Sequence, residues 1–254
     1  MHNRGYICII LYLQEHFTAI PVKYRSLKPA RAHTAILLFT RTSAEEACVK
    51  SFCRGLNKSK AIASALISRT KMLVEQTGLP LVIIGSDKQQ GNTFGERLQD
   101  AITQVWKRGY DSVICLGNDT PGLTPATLRA AADALQQHSF VFGKATDGGV
   151  YLMGMHRHTL PQLNLKAISW NTSLVFEELQ QQTLSASTTI LAPVLADADN
   201  AEDILSLSAD YALGPLVIWL RTLLCFTKAP FIPSVSFSPL AIPAATGLRG
   251  PPVS

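Results

Sequence analysis

Two carboxylates carry the chemistry that this sequence offers most directly. Asp119 stands in Gly117-Asn118-Asp119-Thr120-Pro121-Gly122, just after the apolar run Val113 to Leu116. Asp147 stands in Thr146-Asp147-Gly148-Gly149, just before a second apolar run, Val150 to Met155. Each run reads as a strand buried on both faces of a sheet. Both acids therefore fall in loops beside the sheet, and in open α/β sheets ligands bind at the carboxyl edge. Two hard oxygen donors near a phosphate-bearing substrate are how Mg²⁺ or Mn²⁺ is held, with substrate phosphates completing the shell. Such an ion would neutralise the charge developing on a departing nucleoside diphosphate or pyrophosphate. The same two residues also suit turns, Asp119 ahead of Pro-Gly and Asp147 ahead of Gly-Gly. Spacing leaves both roles open.

The elements that position these loops follow from periodicity and punctuation. Thr34 to Thr40 reads as the first strand, and Arg41 to Lys60 as a polar, basic connection. A helix is expected over Lys60 to Gln76, with Ile62, Leu66 and Leu73 on one face and Gly78 just past its end. Leu81 to Ile84 makes the second strand, and the loop Ser86 to Asn92 leads into a helix over Thr93 to Arg108. There Phe94, Leu98, Ile102, Val105 and Trp106 recur at helical spacing. Thr124 and Pro125, an N-cap hydroxyl and a proline in the first turn, launch a helix to about Gln137. Strands at Ser139 to Phe142 and Thr189 to Leu195, a helix at Leu174 to Gln181, and a helix capped by Asn200 and running to Ser208 complete the pattern. Alternating strands and helices over 34–209 predict a three-layer α/β/α sandwich with a mainly parallel sheet.

Composition narrows the function. The net charge of +5 is concentrated outside this region: residues 1–33 carry +4, 210–254 carry +2, and 34–209 carry −1. A nucleic-acid binder is expected to place its basic stripe on the folded module, so nucleic acid is set aside as a partner. Five cysteines without CxxC spacing predict a reduced, cytoplasmic protein lacking disulfides. Residues 1–33, whose apolar run Tyr6 to Leu13 is too short for a bilayer, are expected to lie outside the fold. Residues 210–254 read as an apolar stretch, Leu213 to Phe226, and then a Pro-rich tail. Peripheral membrane or partner contact through these ends stays open, while an integral span is not expected. Oligomeric state is not legible. GxxxxGK[ST], GxGxxG, GxSxG and HExxH are all absent, which removes the usual NTPase, dinucleotide, serine-hydrolase and zincin readings.

The segments Gly117 to Thr124 and Thr146 to Gly154 together resemble the paired motifs of a bacterial glycosyltransferase-like family, the radical-SAM/selenodomain-associated transferase type. Gly91-Asn92-Thr93-Phe94-Gly95-Glu96-Arg97, Trp170-Asn171-Thr172 and the acidic run Asp197 to Asp203 are similar to its further landmarks. The resemblance covers about residues 34–208. It implies the GT-A fold of nucleotide-diphospho-sugar transferases, with Asp119 facing a Mg²⁺ or Mn²⁺ ion. The expected activity is metal-dependent transfer from a nucleotide-activated sugar. Rival expectations are a nucleotidyltransferase releasing pyrophosphate and a catalytically degenerate binding protein of the same fold. Asp119 and Asp147 are the candidate catalytic and metal-binding residues. Arg41, Lys50, Arg54, Glu96, Arg97, Asn118, Gly148, Gly149 and Trp170 are the candidate substrate-binding residues. In one respect the chain departs from the family: a Pro-Gly loop ending in Lys-Thr-Arg normally follows the first strand, and here that region reads Arg41 to Lys50 without it.

Overall fold

The structure, a computed structural model, describes residues 33–50 and 52–206 together with Ile218 and Leu220. The expectations for residues 1–32 and for most of 210–254 lie outside the described residues. Among the described residues six strands form one sheet: β1 (Thr34–Phe39), β2 (Leu81–Ile84), β3 (Ser112–Leu116), β4 (Phe140–Ala145), β5 (Val150–His156) and β6 (Thr188–Leu195). Their order is β2-β1-β3-β5-β4-β6, and β5 is the one antiparallel member. Ile36 of β1 lies beside Leu81 on one side and Ile114 on the other, which fixes the register of the parallel half.

The described residues form six α-helices, α1 (Ser43–Val49), α2 (Leu56–Glu75), α3 (Phe94–Lys107), α4 (Pro125–Ala134), α5 (Val175–Gln182) and α6 (Ala201–Ser206), of which α2 to α5 pack on the sheet. Strand alternation assigns them to faces, because successive side chains point to opposite sides. Ala35, Leu37, Val113, Cys115, Phe140, Phe142, Met153 and Met155 pack against Leu98, Ile102, Val105 and Trp106 of α3 and Phe176 and Leu179 of α5. The intervening residues Ile36, Ile114, Leu116, Val141 and Leu152 pack against Leu73 and Val74 of α2 and Leu128, Ala131 and Ala132 of α4. The fold is a three-layer α/β/α sandwich, as expected.

The chain between β1 and β2 departs from the sequence expectation. Arg41 to Lys60, read above as a polar, basic connection with no element of its own, contains α1 and the first turn of α2. Thr42 and Glu45 close a reciprocal capping box at the start of α1, which satisfies two orphan backbone donors. The second helix also serves two neighbours rather than one. At about 1.5 Å per residue its 20 residues reach about 30 Å, more than a strand of this sheet can cover. Leu73 and Val74 sit on the sheet, while Ile62, Ala63 and Leu66 join Phe52, Ala198, Ile204 and Leu220 in a separate cluster. That cluster anchors the segments before α2 and after β6 beside each other. Among the described residues no helix is long and apolar enough to cross a membrane, and Cys48, Cys53 and Cys115 are free thiols.

Candidate functional site

β1 and β3 are parallel neighbours, so the loops leaving them emerge side by side at the carboxyl edge. The Thr40 hydroxyl donates to Asn118 Oδ1 at 2.9 Å across this gap, and both residues are buried. Gly117 leaves room for the Asp119 carboxylate: a Cβ there would lie 2.7 Å from Asp119 Oδ1 and would shift it. The segment that follows β6 is tied to the same place. The Ala198 N–H donates to the Asp119 carbonyl at 2.7 Å, and the Thr120 hydroxyl donates to Asp197 Oδ1 at 2.6 Å. Asn200 then caps α6 by accepting from the N–H groups of Glu202 and Asp203, so Asp197 and Asp199 flank Asp119 on a braced loop.

α1 delivers the cation. Lys50 is its C-cap residue, held by its N–H to the Glu46 carbonyl at 2.8 Å. Its side chain is only 9% exposed, and Nζ lies 2.7 Å from Asp119 Oδ2 and 2.7 Å from Asp199 Oδ1. Burial opposes its charge, but the two carboxylates outweigh burial and hold the ammonium above the usual lysine range. One helical turn earlier, Glu46 is 3% exposed. Its Oε2 has no hydrogen-bond partner, with Arg41 Nη1 3.7 Å away. Burial pushes the Glu46 carboxyl up, against the pull of Lys50 and Arg41. Burial, and then the charge of Asp119, pushes Asp197 up to about 7.

These groups line a cleft of about 730 Å³ together with Gln89, Tyr151 and Asp147. Its far wall is aromatic: Trp170 lies tilted against Phe94 at 4.8 Å, and Phe94 meets Phe39 edge-on at 5.5 Å. Trp170 is aimed by its Nε1, which donates to the Leu165 carbonyl at 2.8 Å. Gly95 permits that approach, since a Cβ there would collide with the same carbonyl.

Of the residues singled out in the sequence, the structure brings Arg41, Lys50, Arg97, Asn118, Asp119, Asp147, Gly149 and Trp170 to this cleft. Three others have different positions. Arg54 is exposed beyond α1 and does not line it. Glu96 closes the capping box of α3 with Thr93, and the N–H groups of Asn92 and Thr93 hold its carboxyl below the usual range. Gly148 adopts φ +90° and turns toward the Ser173 carbonyl, where any Cβ would collide. There it seats the segment before α5, and the N–H of Phe176 in α5 donates to the Gly148 carbonyl at 3.0 Å. Sequence reasoning missed Glu46, Asp197 and Asp199. The Asp-Ala-Asp-Asn run was read as a helix cap and as a landmark of the family resemblance, with no site role given to its acids, and nothing in it signals that the loop folds back onto Asp119. His156 and His158 stack at 5.2 Å, but His156 bonds Ser112 at the start of β3, the opposite edge from the cleft.

As arranged, the donors do not fit a divalent ion shared by Asp119 and Asp147. Asp119 Oδ2 accepts from Lys50, and Asp147 Oδ1 accepts from the Gly149 N–H at 2.9 Å. Among the described residues no group of three His, Cys, Asp or Glu side chains is placed to hold a metal ion by itself.

Residues 84–172 match the model of a family described as an uncharacterised protein conserved in bacteria (DUF2064). That stretch runs from the end of β2 through the Asp119 and Asp147 loops to Trp170-Asn171-Thr172. Among solved structures, the chain is similar to one assigned as a nucleotide-diphospho-sugar transferase from Desulfovibrio desulfuricans. The two are 20% identical with a TM-score of 0.65, over 77% of this chain and 98% of that one. The chain therefore has the nucleotide-diphospho-sugar transferase fold. A cytidylyltransferase from Leptospira borgpetersenii aligns at 11% identity and TM-score 0.42, over 78% of this chain and 98% of that one. A Mycobacterium tuberculosis protein in complex with manganese aligns at 15% identity and TM-score 0.36, over 67% and 94%. These last two likenesses are too loose to carry an argument. No curated protein matches the sequence.

Proposed function

We propose that this protein transfers a glycosyl group from a nucleotide-activated sugar bound in the cleft at the carboxyl edge of β1 and β3. One observation carries the reading: a buried ammonium, Lys50, shares this cleft with Arg41, Arg97 and an aromatic wall. Cations that can make charge-assisted hydrogen bonds suit a diphosphate. The Phe94–Trp170 face suits a base or sugar ring, which would gain stacking contact there. In this account Lys50, Arg41 and Arg97 hold the diphosphate and meet the charge that develops as it leaves. Asp119 and Asp199 position Lys50. Asp147 braces the turn whose next residue, Gly149, borders the ligand. Asp197, pushed up to about 7, is the cleft group best matched to taking a proton from an acceptor hydroxyl near neutral pH. The sequence expectation of Mg²⁺ or Mn²⁺ on Asp119 and Asp147 receives no support from the donor geometry.

Phosphorus NMR of the purified protein incubated with nucleotide sugars, and separately with nucleoside triphosphates plus sugar phosphates, tests the reaction class. Release of a nucleoside diphosphate from one nucleotide sugar is the expected result. Pyrophosphate release from a triphosphate would instead establish nucleotidyl transfer. Absence of both products would leave a binding protein.

A further inference from the structure

We propose that the Lys50 ammonium is the resident cation of this site, standing between Asp119 and Asp199 where a metal-dependent enzyme holds a divalent ion. The diphosphate is then bound without Mg²⁺ or Mn²⁺. For its ligand this rests on the transferase reading above; for the cation it rests on the geometry.

Three observations carry it. First, Nζ bonds both carboxylates at 2.7 Å. An ammonium has three N–H donors, so one remains for a ligand oxygen in the cleft that Lys50 lines. Second, the position is built. The backbone of Lys50 is fixed as the C-cap of α1, its side chain is 9% exposed, and Asp119 and Asp199 are held together by the Ala198-to-Asp119 bond. Third, the neighbouring acid does not compete for the ammonium. Glu46 lines the cleft with Oε2 unpartnered by any hydrogen bond, so its influence on Lys50 is electrostatic, and it adds to the negative field that an internal cation balances. A divalent ion on the same Asp119 oxygen would have to displace an ammonium that is already paired with both carboxylates.

The test has a metal arm and a nucleotide arm, each run on wild type, Lys50→Met and Lys50→Arg. In the metal arm, Mn²⁺ alone is titrated and followed by electron paramagnetic resonance. Wild type and Lys50→Arg are expected to leave millimolar Mn²⁺ free, whereas Lys50→Met, with two carboxylates released, is expected to bind it. In the nucleotide arm, nucleoside diphosphates are titrated by calorimetry in EDTA or in Mn²⁺. Wild-type affinity is expected to be the same in both. Lys50→Met should lose roughly 10- to 100-fold, the effect of one charge-assisted hydrogen bond, and Lys50→Arg should recover part of it. Micromolar Mn²⁺ binding by wild type without nucleotide, or nucleotide binding that requires Mn²⁺, overturns the proposal. If no nucleotide binds under either condition, the transferase reading falls, and the metal arm still decides the place of Lys50. Far-ultraviolet circular dichroism of each variant confirms that the comparison is between folded proteins.

Discussion

The N–H of Ala198 donates to the carbonyl of Asp119 at 2.7 Å, joining two segments 79 residues apart at the mouth of the cleft. This bond brings Asp197 and Asp199 alongside the β3 loop and turns a single acidic residue into a braced array. Thr120 reinforces it through Asp197. Thr120→Val, which keeps the shape and removes the hydroxyl, should therefore cost about 1–2 kcal/mol in urea denaturation. It should also weaken ligand binding, although Thr120 lies outside the cleft lining.

Asp197 predicts a pH dependence of stability. Its carboxyl is pushed up to about 7, by burial first and the charge of Asp119 next. A folded pKa above the unfolded one stabilises fully below the unfolded value, near 4, and that stability is lost as pH rises through the folded value. Wild type should thus lose stability relative to Asp197→Asn between about pH 4 and 7. Each pKa unit is worth about 1.4 kcal/mol, and neighbouring groups titrate together, so about 2 kcal/mol over the window is expected. Urea midpoints of the two proteins at pH 5, 6, 7 and 8 check it; parallel curves would exclude the account.

Arg97 and Arg54 separate the cleft from its surroundings. Arg97 lines it and Arg54 does not. Arg97→Ala should weaken nucleotide binding by about tenfold, the scale of one charge-assisted hydrogen bond. Arg54→Ala should change neither affinity nor stability beyond about 0.5 kcal/mol. Calorimetry on the pair would expose a misplaced site if the order were reversed.

Thr42 acts through α1. Thr42→Ala opens the capping box with Glu45 and should cost about 1 kcal/mol. Because α1 carries Lys50, nucleotide affinity should fall as well. Unchanged affinity at reduced stability would show that Lys50 is held by its carboxylates alone.

Gly148→Ala should be the most damaging single change in the Asp147 turn. It forces a side chain into φ +90° and onto the Ser173 carbonyl, with an expected loss of about 2–3 kcal/mol. Thermal unfolding measures it directly.

The layers of the fold were legible because its strands are continuous apolar runs and its helices carry clear stripes. Thr124-Pro125 and Asn200 mark helix starts that the structure reproduces. The first βα connection was not legible by periodicity: seven residues of α1 with only Glu46 buried show no apolar stripe. Its Thr42-to-Glu45 capping signature was present in the sequence and was passed over. The cleft was half legible. Asp119, Asp147 and Lys50 were singled out from loops near one sheet edge, but their partners depend on distant contacts. Neither the pairing of Lys50 with Asp199 nor the return of residues 197–199 to Asp119 leaves a local mark. Glu96 and Gly148 show the converse: both stand in motif segments, and the structure gives them a helix cap and a close backbone approach outside the cleft lining.

The central claim, that this cleft binds a nucleotide-activated sugar, is tested most directly by calorimetric titration of wild type and Lys50→Met with a panel of nucleoside diphosphates and nucleotide sugars. The account predicts saturable binding to one nucleotide, stronger for its sugar conjugate and weakened in Lys50→Met. A folded wild-type protein that binds no member of the panel would contradict it.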